Sequence, residues 1–132
     1  MKIRKLETYT QGHLSFVRVV AEDGAQGWGQ MAPYNADISA QIFHRQVAPI
    51  VLGKGGERID ALVDRVIEAQ YKFHGSYLSR AVGGLDTALW DLEARRAGKS
   101  VCEMLGGTLR PVQLYGSSMR RDIQPEDEAQ RM

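Results

Sequence analysis

The chain has one cysteine, Cys102, so no disulfide can form within it, and a reducing compartment, the cytoplasm, is expected. It has no excess of charge of one sign. Lys and Arg number 17 against 16 Asp and Glu, a net charge of +1, and this excludes the basic field of a nucleic-acid binder. No apolar run is long enough to cross a bilayer. The opening MKIRKLETYT alternates charged with apolar residues and contains no signal-peptide core, so neither membrane nor export is expected. Prolines are few, and no segment is repeated or of low complexity. What remains is ordinary globular composition, 43% hydrophobic and 25% charged, in 132 residues, enough for one core.

The first part of the chain has the period of strands. Residues 2–10 read as one strand and 14–23 as a second, with Val17, Val19 and Ala21 on one face and Phe16, Arg18 and Val20 on the other. Asp23-Gly24 marks a turn, and GWGQM at 27–31 reads as a third strand. The short links predict an antiparallel meander. The period then changes. Residues 37–51 read as a helix with Ile38, Ile42, Val47 and Ile50 on one side and Asn35 or Asp37 as cap. A second helix is expected at 57–73, with Ile59, Leu62, Val63, Val66, Ile67 and Ala69 at steps of mostly three and four. A third runs from Ser76 to Ala97. Ser100 and Glu103 form a capping-box pattern for a short fourth helix, which Gly106-Gly107 closes. Residues 110–118 read as a strand, and Pro125 with three acids at 126–128 opens a last helix.

The third helix carries two adjacent glycines, Gly83 and Gly84, where each costs about 0.5–1 kcal/mol relative to alanine. Leu78, Ala81, Val82, Leu85, Ala88, Leu89 and Leu92 form one apolar stripe. Gly83, Trp90, Ala94 and Ala97 form a second. A helix apolar on two sides is expected to be buried on two sides, and the glycines are expected to admit a neighbouring backbone rather than to touch a ligand.

The stretch GGLDTALWDLEARRAGKSVCEMLGG at 83–107, through Gly84, Leu85, Asp86, Ala88, Trp90, Asp91, Ala94, Gly98, Leu105, Gly106 and Gly107, resembles the end of the N-terminal domain of the enolase superfamily, in its mandelate racemase / muconate lactonizing enzyme branch. DGAQGWGQMAP at 23–33 resembles that branch's second hairpin, with Gln30 where the family often has Glu. The order of elements agrees as well, and the resemblance spans essentially the whole chain. It implies an α+β fold: a three-stranded antiparallel meander followed by a helical bundle, at 1–108, as the capping domain. Residues 109–132 would then be the first strand and partial first helix of a (β/α) barrel.

The resemblance also implies a reaction. A base removes the proton α to a carboxylate, and a bound Mg²⁺ stabilises the enediolate, because that proton is too weakly acidic without a divalent charge on the developing oxyanion. Acid-sugar dehydratase is the activity expected first, with racemase or epimerase and cycloisomerase after it. In the family the metal ligands and bases lie on later barrel strands. No catalytic or metal-binding residue is therefore expected in this chain, and the chain alone is expected to be inert. Its implied part is a lid of two loops, 9–16 and 31–37, with His13, Tyr34 and Asn35 as candidate substrate contacts. Tyr115, Ser117 and Ser118, at the end of the first barrel strand, are further candidates. The implied partners are a small carboxylate substrate, the barrel domain and further copies of the chain in a homo-oligomer.

Other features carry less. AGKS at 97–100 lacks the glycine five positions before Gly98 and the preceding strand that a phosphate-binding loop requires. His13, His44 and His74 lack metal-ligand spacing. Cys102 is expected to be a buried structural thiol, and Arg120-Arg121 a solvated pair or the partner of the acids at 126–128. The competing reading is a stand-alone α+β module that binds a protein through the second stripe of the third helix.

Overall fold

A computed structural model describes residues 1–56, 58–116 and 122–131. Strands β1 (Ile3–Gln11), β2 (Leu14–Ala21) and β3 (Gln26–Met31) form an antiparallel sheet in the order β1-β2-β3. Thr8 faces Val17 across the first hairpin, and Arg18 faces Trp28 across the second. Alternation decides the faces. Val17, Val19 and Ala21 are fully buried, whereas Phe16 and Trp28 point to the open side. Glu7, Tyr9, Arg18 and Trp28 share that open side. There Arg18 Nη1 donates to Glu7 at 3.2 Å, and the rings of Tyr9 and Trp28 lie 5.3 Å apart.

The helices follow as α1 (Ala36–Ile42), α2 (Ala48–Val51), α3 (Ile59–Ala69), α4 (Ser76–Ala97), α5 (Val101–Met104) and α6 (Pro125–Arg131). The sequence reads 37–51 as one helix, but a π-helical turn, Phe43–Val47, divides it. Pro49 has no N–H to give to an earlier carbonyl, which disfavours a regular ladder here. Ahead of that turn, Ala36, Ser39, Ala40 and Phe43 share one buried face at steps of three and four, and Ile38 lies off it. Ala40, Phe43, Val47 and Val51 enter the core, and Ile38 is left 40% exposed. The expected helix at 57–73 ends at Ala69, and Tyr71–Phe73 is a short 3-10 turn.

Helix α4 lies between the sheet and the other helices. Leu85, Ala88, Leu89 and Leu92 are fully buried against β2 and β3. Each buried leucine contributes about 1.5–3 kcal/mol. The decisive contact is backbone on backbone. A Cβ on Gly29 would lie 2.6 Å from the Ala88 nitrogen and closer still to the Gly84 oxygen. A Cβ on Gly27 would lie 2.5 Å from the Leu92 nitrogen and closer to the Ala88 oxygen. On the helix side a Cβ on Gly84 would meet Met31 Cγ at 2.5 Å and Val17 Cγ2 at 3.1 Å. Asp91 completes the joint: its Oδ2 accepts from the Trp28 N–H at 2.8 Å and from Arg95 Nε at 2.8 Å.

The expectation of two equivalent glycines is corrected. Gly84 is required by close approach, but a Cβ on Gly83 would meet nothing within 4 Å. The second stripe is not buried as a whole either. Ala94 is buried and Trp90 half-buried, while Gly83 and Ala97 are exposed. Cys102 is exposed rather than buried: no residue of the one-turn helix α5 enters the core. The capping box holds: Glu103 N–H donates to Ser100 Oγ, and Ser100 N–H donates to Glu103. The strand expected at 110–118 is absent over 110–116. No described strand pairs with that segment, and a lone strand leaves its backbone groups unpaired. Leu114 and Tyr115 there are 90% and 89% exposed. Ser117, Ser118, Arg120 and Arg121 lie outside the described residues. Pro125 and the acids at 126–128 do open α6 as expected.

The glycines make a paired prediction. Gly29→Ala forces two backbones apart and should lower stability by about 3 kcal/mol or more. Gly83→Ala fills open space on a helix and should raise it by about 0.5–1 kcal/mol. Urea denaturation of the two variants beside the parent chain measures both.

Candidate functional site

Two loops meet at one end of the sheet. The first is the β1–β2 hairpin tip, where Gly12 takes a φ of +58°, turning the chain so that His13 is exposed. Tyr9, Thr10, Gln11, His13, Leu14 and Phe16 surround a shallow hollow of about 500 Å³ at this tip. Beneath it, Ser15 is fully buried and shares a 2.7 Å hydrogen bond with Thr10. The second loop, 32–35, joins β3 to α1. Here Tyr34 and Asn35 take φ values of +69° and +49°, the two non-glycine residues with positive φ among those described. The backbone excursion brings the Tyr34 ring to 6.1 Å from the His13 ring, centre to centre.

The second loop is tied to the start of α4. One guanidinium nitrogen of Arg80, Nη1, donates to the carbonyls of Pro33 at 2.9 Å and Tyr34 at 2.8 Å. Asn35 Nδ2 donates to the Tyr77 hydroxyl at 2.7 Å. The Arg80 guanidinium in turn stands 5.4 Å from the centre of the Tyr77 ring. Asn35 occupies the position before α1, but its side chain makes no capping bond to that helix. The expected cap is thus corrected: the left-handed backbone and the Tyr77 hydroxyl direct the amide elsewhere.

Of the expected site residues, the structure brings together His13 and Tyr34, with Asn35 beside Tyr34. Tyr115 is almost fully exposed, on a segment without regular structure. Ser117 and Ser118 are not among the described residues. Tyr77 and Arg80 were missed in the sequence. They sit at the polar edge of a helix read for its apolar stripes, and nothing in their spacing names a loop as their partner. The residues lining the hairpin-tip hollow include no Asp or Glu, nor do those of a second hollow formed by Gln30, Met31, Ala32, Pro33, Ser79, Arg80, Gly83 and Thr87. Among the described residues no group of three or more His, Cys, Asp or Glu could hold a metal ion.

These features carry a family's pattern: a three-stranded meander closed by a glycine-rich strand on a long central helix, followed by a capping box. The family model for the mandelate racemase / muconate lactonizing enzyme N-terminal domain matches residues 4–106. The chain belongs to this branch of the enolase superfamily. The crystal structure of a candidate racemase from Roseobacter denitrificans is 53% identical with a TM-score of 0.91, over 99% of this chain and 36% of that one. A mandelate racemase / muconate lactonizing protein from Paracoccus denitrificans PD1222, solved with magnesium, is 32% identical with a TM-score of 0.74, over 83% of this chain and 31% of that one. A D-galactonate dehydratase family member of Paenibacillus sp. strain JDR-2 is 34% identical over 92% of this chain and 30% of its own length. The chain thus spans about a third of the length of each of these relatives.

One family position carries an electrostatic consequence. Asp86, in the Gly-Leu-Asp stretch, sits by a hollow between α3 and α4 whose apolar residues include Val63, Ile67, Leu78 and Val82. Burial pushes its carboxyl above the usual value of 3.8, and a hydrogen bond with Trp90 opposes the shift in part. The folded chain therefore holds the Asp86 proton more tightly than the unfolded chain. Stability contributed by the protonated form is full below the ordinary carboxyl value and declines as pH rises through the folded value. Asp86→Asn keeps an acceptor for Trp90 and removes the charge. Its urea midpoint should exceed that of the parent at pH 7, and the difference should vanish as the pH falls below 3.8. An equal difference at both pH values would contradict this.

Proposed function

We propose that this chain is the capping part of a Mg²⁺-dependent enzyme that removes the proton α to a carboxylate, acting first as an acid-sugar dehydratase. Racemase or epimerase and cycloisomerase activity are the neighbouring readings in the same family. The observation that carries the proposal is the meeting of His13 and Tyr34 from two separate loops. Side chains held on two connections at one end of a rigid sheet can close over a ligand that neither loop reaches alone. Neither hollow is lined by a carboxylate that would repel an anionic ligand. The imidazole of His13 and the hydroxyl of Tyr34 both exchange hydrogen bonds with a polyol, as an acid sugar requires.

The family membership and the D-galactonate dehydratase family member support the choice of substrate class, and the magnesium-bound relative supports the metal. When bound, the metal would supply charge stabilisation of an enediolate. In this reading the chain itself binds and orients the distal hydroxyls and keeps water from the reacting carbon. Residues 109–132 would enter the barrel as its first strand and helix. The exposed Leu109, Val112, Leu114 and Tyr115 fit a segment whose packing partner is that barrel. The protein would act in the cytoplasm, as an oligomer.

The first test is the intact mass of the polypeptide made from the native gene, followed by a screen of acid sugars with and without Mg²⁺. A mass of about 40 kDa, this chain plus a barrel of ~250 residues, and metal-dependent dehydration are expected. A polypeptide of this chain's length with no turnover would overturn the proposal. Within an active enzyme, Tyr34→Phe removes one hydroxyl and should lower kcat/KM for the true substrate by about tenfold. A change within about twofold would remove Tyr34 from the contacts.

A further inference from the structure

The unusual feature of the second loop is that it is held open to solvent in a costly shape. Tyr34 is 58% exposed, so burial does not fix it, yet it and Asn35 both occupy left-handed backbone. A side chain with a Cβ disfavours that region, tyrosine more than asparagine. Such a pair relaxes to ordinary backbone unless its surroundings over-determine it. Here three hydrogen bonds do so, and all three come from one turn of α4. Arg80 takes the carbonyls of Pro33 and Tyr34, and the Tyr77 hydroxyl takes the Asn35 amide. Tyr77 and Arg80 are three residues apart on the helix and brace each other, guanidinium on ring. The loop is thereby fixed to the same rigid helix whose later turns carry the sheet.

We propose that Tyr77 and Arg80 are positioning residues that hold Tyr34 and Asn35 in their left-handed backbone, with the Pro33 carbonyl as a second anchor, and so set the gap between Tyr34 and His13. The inference rests on reading the two loops as a lid over an acid-sugar site, and it assigns the lid's rigidity to α4. It also changes the role of Asn35. Its amide is engaged by Tyr77, so Asn35 anchors the loop and Tyr34 faces the ligand.

The test uses Arg80→Met, Arg80→Lys and Tyr77→Phe. In the 132-residue chain, the proton–proton contact between the rings of His13 and Tyr34 is read by NMR. Chymotryptic cleavage after Tyr34 and the urea midpoint are read beside it. Arg80→Met should lose the ring contact and be cleaved about tenfold faster. Arg80→Lys should restore both in good part, because a single nitrogen serves both carbonyls. In the native-gene enzyme Arg80→Met should raise KM about tenfold with a smaller change in kcat, a split that a general loss of stability does not produce. An intact ring contact and parental cleavage in Arg80→Met would overturn the proposal. Should Arg80→Met fail to fold, Tyr77→Phe decides by the same readings, since it removes only the hydroxyl that holds Asn35. If the ring contact is lost but KM for the acid sugar stays within about twofold, the lid reading fails and the clamp stands.

Discussion

The structure depends on the place where β3 lies against α4 with no side chain between them. Gly27 and Gly29 on the strand let two backbones approach to distances that any Cβ would forbid, and Gly84 on the helix leaves room for the Met31 and Val17 side chains beside them. The approach draws the sheet and the helix layer together so that Leu85, Leu89 and Leu92 fill the space beside it completely. It also brings Asp91 to the Trp28 N–H, which satisfies a donor that β2 does not. Because both ends of α4 belong to one rigid helix, the fit at Gly84 and Ala88 also fixes where Arg80 and Tyr77 stand. The position of loop 32–35 follows from that.

Much of this was legible. Strand alternation places Val17, Val19 and Ala21 inward, and the sequence pattern predicts the span of α4 from Ser76 to Ala97 as it stands. The family pattern carried the topology. Packing decided what was not legible. Adjacent glycines look alike in a sequence, but helix rotation places Gly84 on the sheet and Gly83 in the open. The π-helical turn at Phe43–Val47 adds a residue that no period anticipates, and ahead of it the face through Ala36, Ser39, Ala40 and Phe43 turns inward and leaves Ile38 out of the core. A strand pattern at 110–116 cannot become a strand without a neighbour to bond.

The candidate site shows the same division. His13 and Tyr34 were readable as loop residues of a familiar domain, and the structure adds that their rings meet. The forces holding them were invisible, because a polar pair at i and i+3 on a helix has many uses. Separate chemistry thus carries separate tasks. Glycine contact makes the scaffold, the Arg80 and Tyr77 bonds hold the loop, and the exposed ring and imidazole are the proposed ligand contacts.

The central claim is that loops 9–16 and 31–37 close on a carboxylate substrate. Hydrogen–deuterium exchange of the native-gene enzyme, with Mg²⁺ and with or without an acid sugar that it turns over, tests this most directly. The account predicts slowed exchange in both loops on substrate binding, with the β3–α4 joint unchanged because it is already closed. Slowed exchange confined to other segments, with both loops indifferent to substrate, would contradict it.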